Sequence, residues 1–202
     1  MLTLIKKTVT AKYPGNAMFK HLMPKETPTL LPIALVGEPI LRQTAITVHH
    51  FDAELVHLAE QMSASMDAAN GVGIAAPQVH SPLALFIMAS RPNERYPDAP
   101  NMAPVVVVNP QIINASSELV SGEEGCLSVP GQRFTIQRHQ AIEVRYQNLQ
   151  GEWQQTELTG FIARIFQHEF DHLQGITLLE RSLMPEQTQA ISAQSIKKGE
   201  AQ

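Results

Sequence analysis

The sequence predicts an α+β fold in which antiparallel sheets pack around a central helix that carries a His-Glu-x-x-His motif. Two observations carry this expectation. Between Thr159, a candidate N-cap, and Gly175, at the C′ position, two adjacent stripes run at helical spacing: Phe161, Ile165, His168 and His172, and beside them Ile162, Phe166, Glu169 and Leu173. A helix apolar over so wide an arc is buried, with its histidines facing inward. Upstream, residues 134–136, 141–146 and 152–158 alternate as strands do, and Asn148-Leu149-Gln150-Gly151 makes a turn, which predicts an antiparallel meander. At 202 residues the chain is long enough for one well-buried core and short for two.

Taken in order, residues 1–30 hold Pro14-Gly15, Pro24 and Pro28 without sustained periodicity and read as a mostly irregular leader. Five of the fifteen basic residues lie there against one of the nineteen acidic ones, so the remaining body is acidic. That balance argues against a broad nucleic-acid surface. The leader lacks arginine, serine and a long apolar core, so a secretory signal is not expected. An organelle-targeting segment, a flexible leader, or a true start at Met18 or Met23 are the readings it leaves. Residues 31–41 (LPIALVGEPIL) predict an extended arm with a turn at Gly37 and Pro39. Asp52 is a candidate N-cap for a helix with Leu55, Leu58, Met62 and Met66 on one face, stopped by Asn70-Gly71.

Gly71-Val72-Gly73-Ile74-Ala75-Ala76-Pro77-Gln78 follows. It lacks the third glycine, Lys or Ser/Thr of a phosphate loop, so its small residues point instead to backbone that must come close to something else. Gln78 reads either as a buried polar residue tied to backbone or as an amide aimed at a ligand. Residues 83–88 and 103–108 predict strands, the second buried on both faces, with a polar loop between them. Residues 111–120 are expected to continue the sheet. Residues 177–179 read as a short strand, and 182–202 as a polar tail. A single domain over 31–181 is therefore expected. No apolar run approaches the length needed to span a bilayer. The one cysteine, Cys126, excludes an intramolecular disulfide. It lies between glycines and acids in Glu123-Glu124-Gly125-Cys126-Leu127-Ser128, where a ligand or reactive role is favoured over plain packing.

The motif supplies the chemistry. Two histidines four apart, His168 and His172, lie on one helix face and can reach a single metal ion; Glu169 beside the first can take a proton from water. A catalytic site of this kind wants three protein ligands and one open position. The extended metalloprotease pattern would place a third histidine where Leu178 stands, so the third ligand comes from elsewhere, and Cys126 is the best candidate.

Three blocks, GVGIAAPQ at 71–78, EGCLS at 124–128 and QHEFDHLQG at 167–175, resemble in this order the three signature motifs of peptide deformylases. The similarity covers about residues 31–181. The resemblance implies that Cys126, His168 and His172 hold one divalent metal ion, Fe²⁺ in many members, with Zn²⁺ or Ni²⁺ as substitutes. It implies that Glu169 is general base and acid, and that the Gln78 amide and the Leu127 backbone N–H flank the oxyanion. Val72, Gly73 and Gly125 lie where family members pair with substrate backbone; Val72, Phe161 and Ile165 are placed to line a pocket for a Met side chain. Arg133 matches a basic position near the substrate's C-terminal side. The implied substrate is a nascent chain that begins with N-formylmethionine, with formate as a product, the ribosome as a candidate partner, and a bacterial-type cytoplasm as the compartment. Nucleic acid and membrane are not expected partners. A departure is Gly122, where some relatives carry a larger apolar residue; a wider pocket is the expectation. A metallopeptidase of another family and a catalytically silent binding relative are the competing readings. The absent third histidine argues against the first, and the presence of both Glu169 and Gln78 against the second.

Overall fold

The structure, a computed structural model, describes residues 28–93 and 96–185. The readings of a leader before residue 28 and of a tail after residue 185 lie outside the described residues. Among the described residues, seven strands and three α-helices follow one another as α1 (Ala53–Ala68), β1 (Gly73–Ala75), β2 (Leu85–Ser90), β3 (Met102–Ala115), β4 (Leu119–Cys126), β5 (Val129–His139), β6 (Ala141–Gln147), β7 (Trp153–Thr159), α2 (Gly160–Leu173) and α3 (Leu178–Ser182). The strands form a five-stranded sheet in the order β1-β2-β3-β6-β7 and a two-stranded sheet, β4-β5. Every strand pairing is antiparallel. The α+β class with antiparallel sheets therefore stands.

Helix α2 lies against one face of the five-stranded sheet. Its Ile162, Phe166 and Phe170 pack with Phe86, Val107, Ile142 and Leu158. Helix α1 covers the opposite face at the β1–β2 end, where Leu55, Met62 and Met66 meet Ile74, Leu85 and Ile87. Alternate residues of β2 thus enter two different cores, and it is β2 that is buried on both faces. The sequence assigned that property to residues 103–108. There only Val107 and Val108 are buried while Ala103 and Pro104 are exposed, because α1 does not extend over that end of β3.

Three further expectations are corrected. Residues 111–120 are not one continuing strand: β3 ends at Ala115, and β4 starts at Leu119 in the other sheet. The meander loses its first strand, since β5 pairs with β4 along Leu119↔His139 to Gly125↔Arg133, leaving β6 to pair with β3 and β7. Residues 177–179 open a helix. Thr177 accepts from the Glu180 N–H, and the Glu180 carboxylate accepts from the Thr177 N–H, a capping box.

The arm runs as expected, with its turn at Gly37 followed by a 3-10 turn over Pro39–Arg42. It ties the two halves together: Ala34 N–H donates to the Gln78 carbonyl and Val36 N–H to the Ser128 carbonyl, each at 2.8 Å. Helix α2 ends as the sequence indicates. Gly175 takes φ +72°, and the Gly175 and Ile176 N–H groups donate to the His172 and Asp171 carbonyls. Thr159 sits at the N-cap position, but its side chain makes no capping hydrogen bond. Asp52 does cap α1, accepting from Glu54 N–H at 3.0 Å and Leu55 N–H at 3.1 Å. Asp52→Ala is expected to cost about 1 kcal/mol and to lower the thermal midpoint by roughly 2–4 °C, measured by calorimetry. Among the described residues no helix is long and apolar enough to cross a membrane.

Candidate active site

Helix α2 and strand β4 are matched in step. Four residues advance a helix by about 6 Å, and two residues advance a strand by about 6.6 Å, so an i, i+4 stripe can stay in register with an i, i+2 stripe. The three rungs are Arg164 against Gly122, His168 against Glu124, and His172 against Cys126. Arg164 donates to the Gly122 carbonyl at 3.4 Å, His168 Nδ1 lies 2.9 Å from Glu124 Oε2, and His172 Nε2 lies 3.3 Å from Cys126 Sγ. At the far end of β4 the register shifts by three residues: Gly125 faces Arg133, while Cys126 faces Val129. The looped-out stretch on β5 turns the end of the hairpin, and such bulges re-aim side chains beside functional sites.

The third rung makes a cluster. The ligand atoms of Cys126, His168 and His172 lie within 4.8 Å of one another. Because Glu124 holds Nδ1 of His168, its Nε2 is the nitrogen turned to the cluster. Burial alone would raise the Cys126 thiol, but the neighbouring His172 and His168 rings hold it well below its ordinary range. Burial would likewise raise Glu124, yet the Arg138 guanidinium and His168 hold its carboxylate well below the usual range. One thiolate and two imidazoles suit a divalent ion of borderline softness, and three protein ligands leave a further position open. The donor set therefore fits a metal ion.

Glu169 is buried, and its Oε2 has no hydrogen-bond partner among the described residues. Burial raises its carboxyl to about 7 against the lowering influence of His168 and His172. A proton is then both accepted and released near neutral pH. The room for this carboxylate comes from Gly73, where a Cβ would approach Glu169 Cδ to 2.7 Å. This is the close approach that the glycine- and alanine-rich block implied.

Gln78 is a buried polar residue tied to backbone, the first of the two readings left open for it. Its Oε1 accepts from the Ala75 N–H at 2.8 Å, so Nε2 is directed to Ser128 Oγ at 3.1 Å and Cys126 Sγ at 3.5 Å. The cleft over the cluster is lined by Gly71, Val72, Gly73 and Gln78 on one side, Glu124 to Leu127 on another, and Phe161, Arg164, Ile165, His168 and Glu169 from α2. Among the described residues strand β1 is an edge of its sheet, and its Gly73 lines this cleft. Arg133 stands apart, donating to the Glu123 carbonyl at 3.1 Å and lying 4.9 Å over the Tyr96 ring.

Several residues of the site were not singled out from the sequence. Tyr96, in the loop between β2 and β3, lines the cleft; its hydroxyl accepts from the Gly125 N–H at 3.4 Å, and its ring meets Phe161. Nothing in a polar loop announces that contact. Arg138 is completely enclosed, bidentate to Glu124 at 2.9 Å through Nε and Nη2, and 2.6 Å from Asp171 through Nη1. Glu124 and Arg164 did carry a signal, since one lies two residues from Cys126 on a strand and the other four from His168 on a helix. Gly122 does not widen the cleft: the Arg164 guanidinium lies over it, and a Cβ there would come within 2.9 Å of Arg164 Cζ.

The chain is similar to known proteins over most of this body. The family model described as polypeptide deformylase matches residues 30–188. Peptide deformylase 2 of Shewanella oneidensis is 75% identical over 171 residues, covering 84% of this chain and 94% of that one. Peptide deformylase 2 of a Nostoc strain is 54% identical over 155 residues, covering 76% and 87%. Among solved structures, a class I type b peptide deformylase from Acinetobacter baumannii with bound Met-Ala-Ser matches with a TM-score of 0.74 at 51% identity, covering 76% of this chain and 98% of that one. The enzyme of Thermotoga maritima matches with a TM-score of 0.70 at 39% identity, covering 78% and 99%. A Cys/His/His cluster at the foot of an edge-strand cleft, with this family match running across nearly all of the described residues, leads to one conclusion: the chain belongs to the polypeptide deformylase family.

Proposed function

We propose that the protein hydrolyses the formyl group from the N-formylmethionine of newly made polypeptides and releases formate. The observation that carries this reading is the cluster of Cys126, His168 and His172 beside the buried carboxylate of Glu169, whose Oε2 has no hydrogen-bond partner among the described residues. Those three residues would hold one divalent metal ion, Fe²⁺ by family likeness, with Zn²⁺ or Ni²⁺ able to replace it. Bound there, the ion supplies Lewis acidity and lowers the pKa of water.

The residues do the rest. Glu169 takes a proton from the attacking water as the new C–O bond forms. It passes that proton to the amine nitrogen as the C–N bond breaks, so formate and a free amino terminus leave. Gln78 Nε2, giving up its long contact to Cys126 Sγ, and the Leu127 N–H donate to the oxygen on which negative charge develops; one such donor is typically worth about 3–4 kcal/mol in the transition state. Oε1 of Gln78, held by the Ala75 N–H, keeps the amide from turning its oxygen to that charge. The peptide adds to the open edge of β1 through Val72 and Gly73 and reaches Gly125 on the other side. The Tyr96 hydroxyl gives up the Gly125 N–H when it does. Val72, Phe161 and Ile165 take the Met side chain, and Arg133 lies toward the peptide's C-terminal end. A nascent chain brings the ribosome close, and a thiolate ligand requires a reducing compartment, which supports a cytoplasmic site of action.

The test is formate release from formyl-Met-Ala-Ser compared with cleavage of Met-Ala-Ser. Formate appears from the first, no internal peptide bond is cut in either, and a chelator abolishes the reaction until divalent metal is restored under anoxic conditions. Cleavage of the unformylated peptide would favour a metallopeptidase. Replacing the formylated Met by Gly removes the side chain from the pocket. Full burial of such a side chain is worth roughly 1.5–3 kcal/mol, so kcat/KM should fall by about 10- to 150-fold.

A further inference from the structure

The cleft that receives the side chain is not apolar throughout. Among the described residues that line it, Arg164 is the only Arg or Lys. Its guanidinium is held flat along β4 by Nη1 bonds to Glu124 Oε1 at 2.8 Å and the Ile136 carbonyl at 2.9 Å, and by an Nη2 bond to the Val120 carbonyl. Only a glycine at 122 permits this, since a Cβ would come within 2.9 Å of Cζ and 3.1 Å of Nε. A guanidinium has five N–H donors. The bonds to the chain run through Nη1 and one N–H of Nη2, so Nε and the second N–H of Nη2 have no acceptor among the described residues.

An apolar wall would leave a polar side-chain end unpaired, at a cost. A fixed cation with unengaged donors does the reverse and favours a side chain that ends in a strong acceptor. The oxidation product of methionine is of this kind: the sulfoxide keeps the length and branching-free stem of Met and adds one S=O acceptor near the chain end. Resting on the deformylase reading above, we propose that Arg164, admitted by Gly122, is a specificity-determining residue that lets the enzyme deformylate chains whose initiating methionine has been oxidised to the sulfoxide. Val72, Phe161 and Ile165 hold the stem, and Arg164 hydrogen-bonds the oxygen.

The experiment compares kcat/KM for three peptides, formyl-Met-Ala-Ser, its methionine-sulfoxide form and its norleucine form, in the metal-loaded full chain. Wild type is expected to process the sulfoxide within about tenfold of norleucine. In Arg164→Leu the sulfoxide-to-norleucine ratio should fall by about 10- to 100-fold, the range of one hydrogen bond to a charged group. Gly122→Val, which displaces the guanidinium without removing it, should lower the same ratio, and Arg164→Lys should restore part of it. A role for Arg164 in merely supporting Glu124 would slow all three peptides together and leave the ratio unmoved; that outcome overturns the proposal. So does a wild-type enzyme that processes norleucine but discriminates more than 100-fold against the sulfoxide, a result that needs no variant. If wild type releases no formate from formyl-Met-Ala-Ser, the deformylase reading itself fails and this inference falls with it.

Discussion

Glu169→Gln lowers kcat for a formyl-Met peptide by about 10²–10⁴-fold, the range expected when one group serves as both base and acid, and leaves the metal content unchanged. The substitution is close to isosteric, so the fit against Gly73 is kept and the fold is not strained. What it removes is the ability to take a proton. Because Glu169 is not among the three residues proposed as ligands, an ion held by Cys126, His168 and His172 is expected to stay. Cys126→Ala is the contrasting variant: it loses metal and activity together. Metal per chain by atomic emission, read beside single-turnover formate release, separates the two roles. A metal-loaded Glu169→Gln protein turning over within threefold of wild type would remove Glu169 from the proton path, and a Cys126→Ala protein with stoichiometric metal in the same coordination would remove Cys126 from the ligand set.

What the sequence made legible was the part set by local periodicity. The stripes of α2, the Gly175 stop and the Asp52 cap each follow from residues within a few positions of one another, and each is where they put it. Strand pairing is not local. Residues 134–136 alternate correctly for a strand, but alternation names a face and not a neighbour, so it cannot tell that β5 pairs with β4 and not with β6. At 177–179 a local signal exists, the Thr177-x-x-Glu180 capping box, but the apolar pair within it suits a short strand equally well. Tyr96 and Arg138 reach the site across long stretches of chain, from a loop and from a strand in the second sheet, and no spacing rule brings them there. Arg164 is different. It shares the helical stripe of His168 and His172, so a charge at that inward-facing position is a signal the spacing offers for a residue that must meet an acceptor, although the motif alone names only the histidines and Glu169.

Arg138→Met is expected to destabilise the fold by about 3 kcal/mol, the lower end of the cost of breaking a buried ion pair. At roughly 2–4 °C per kcal/mol for a chain of this size, the thermal midpoint falls by about 6–12 °C. The lower end is expected because neither acid is left alone: Asp171 keeps Arg181, which bonds both of its oxygens, and Glu124 keeps Arg164 and His168. The same change reaches the metal cluster. Arg138 grips both oxygens of Glu124, and Glu124 in turn fixes Nδ1 of His168; without the grip, the imidazole loses its fixed orientation. Loss of such a supporting contact typically weakens metal binding by about 10- to 100-fold. Competition with a chelator well below the thermal midpoint measures that loss apart from unfolding, and saturating metal should restore most of the turnover. Arg138→Lys keeps the charge but not the two-pronged contact, so it should recover stability more than metal affinity. If Arg138→Met binds metal as tightly as wild type while its midpoint drops, the network holds β4, β5 and α2 together without orienting His168.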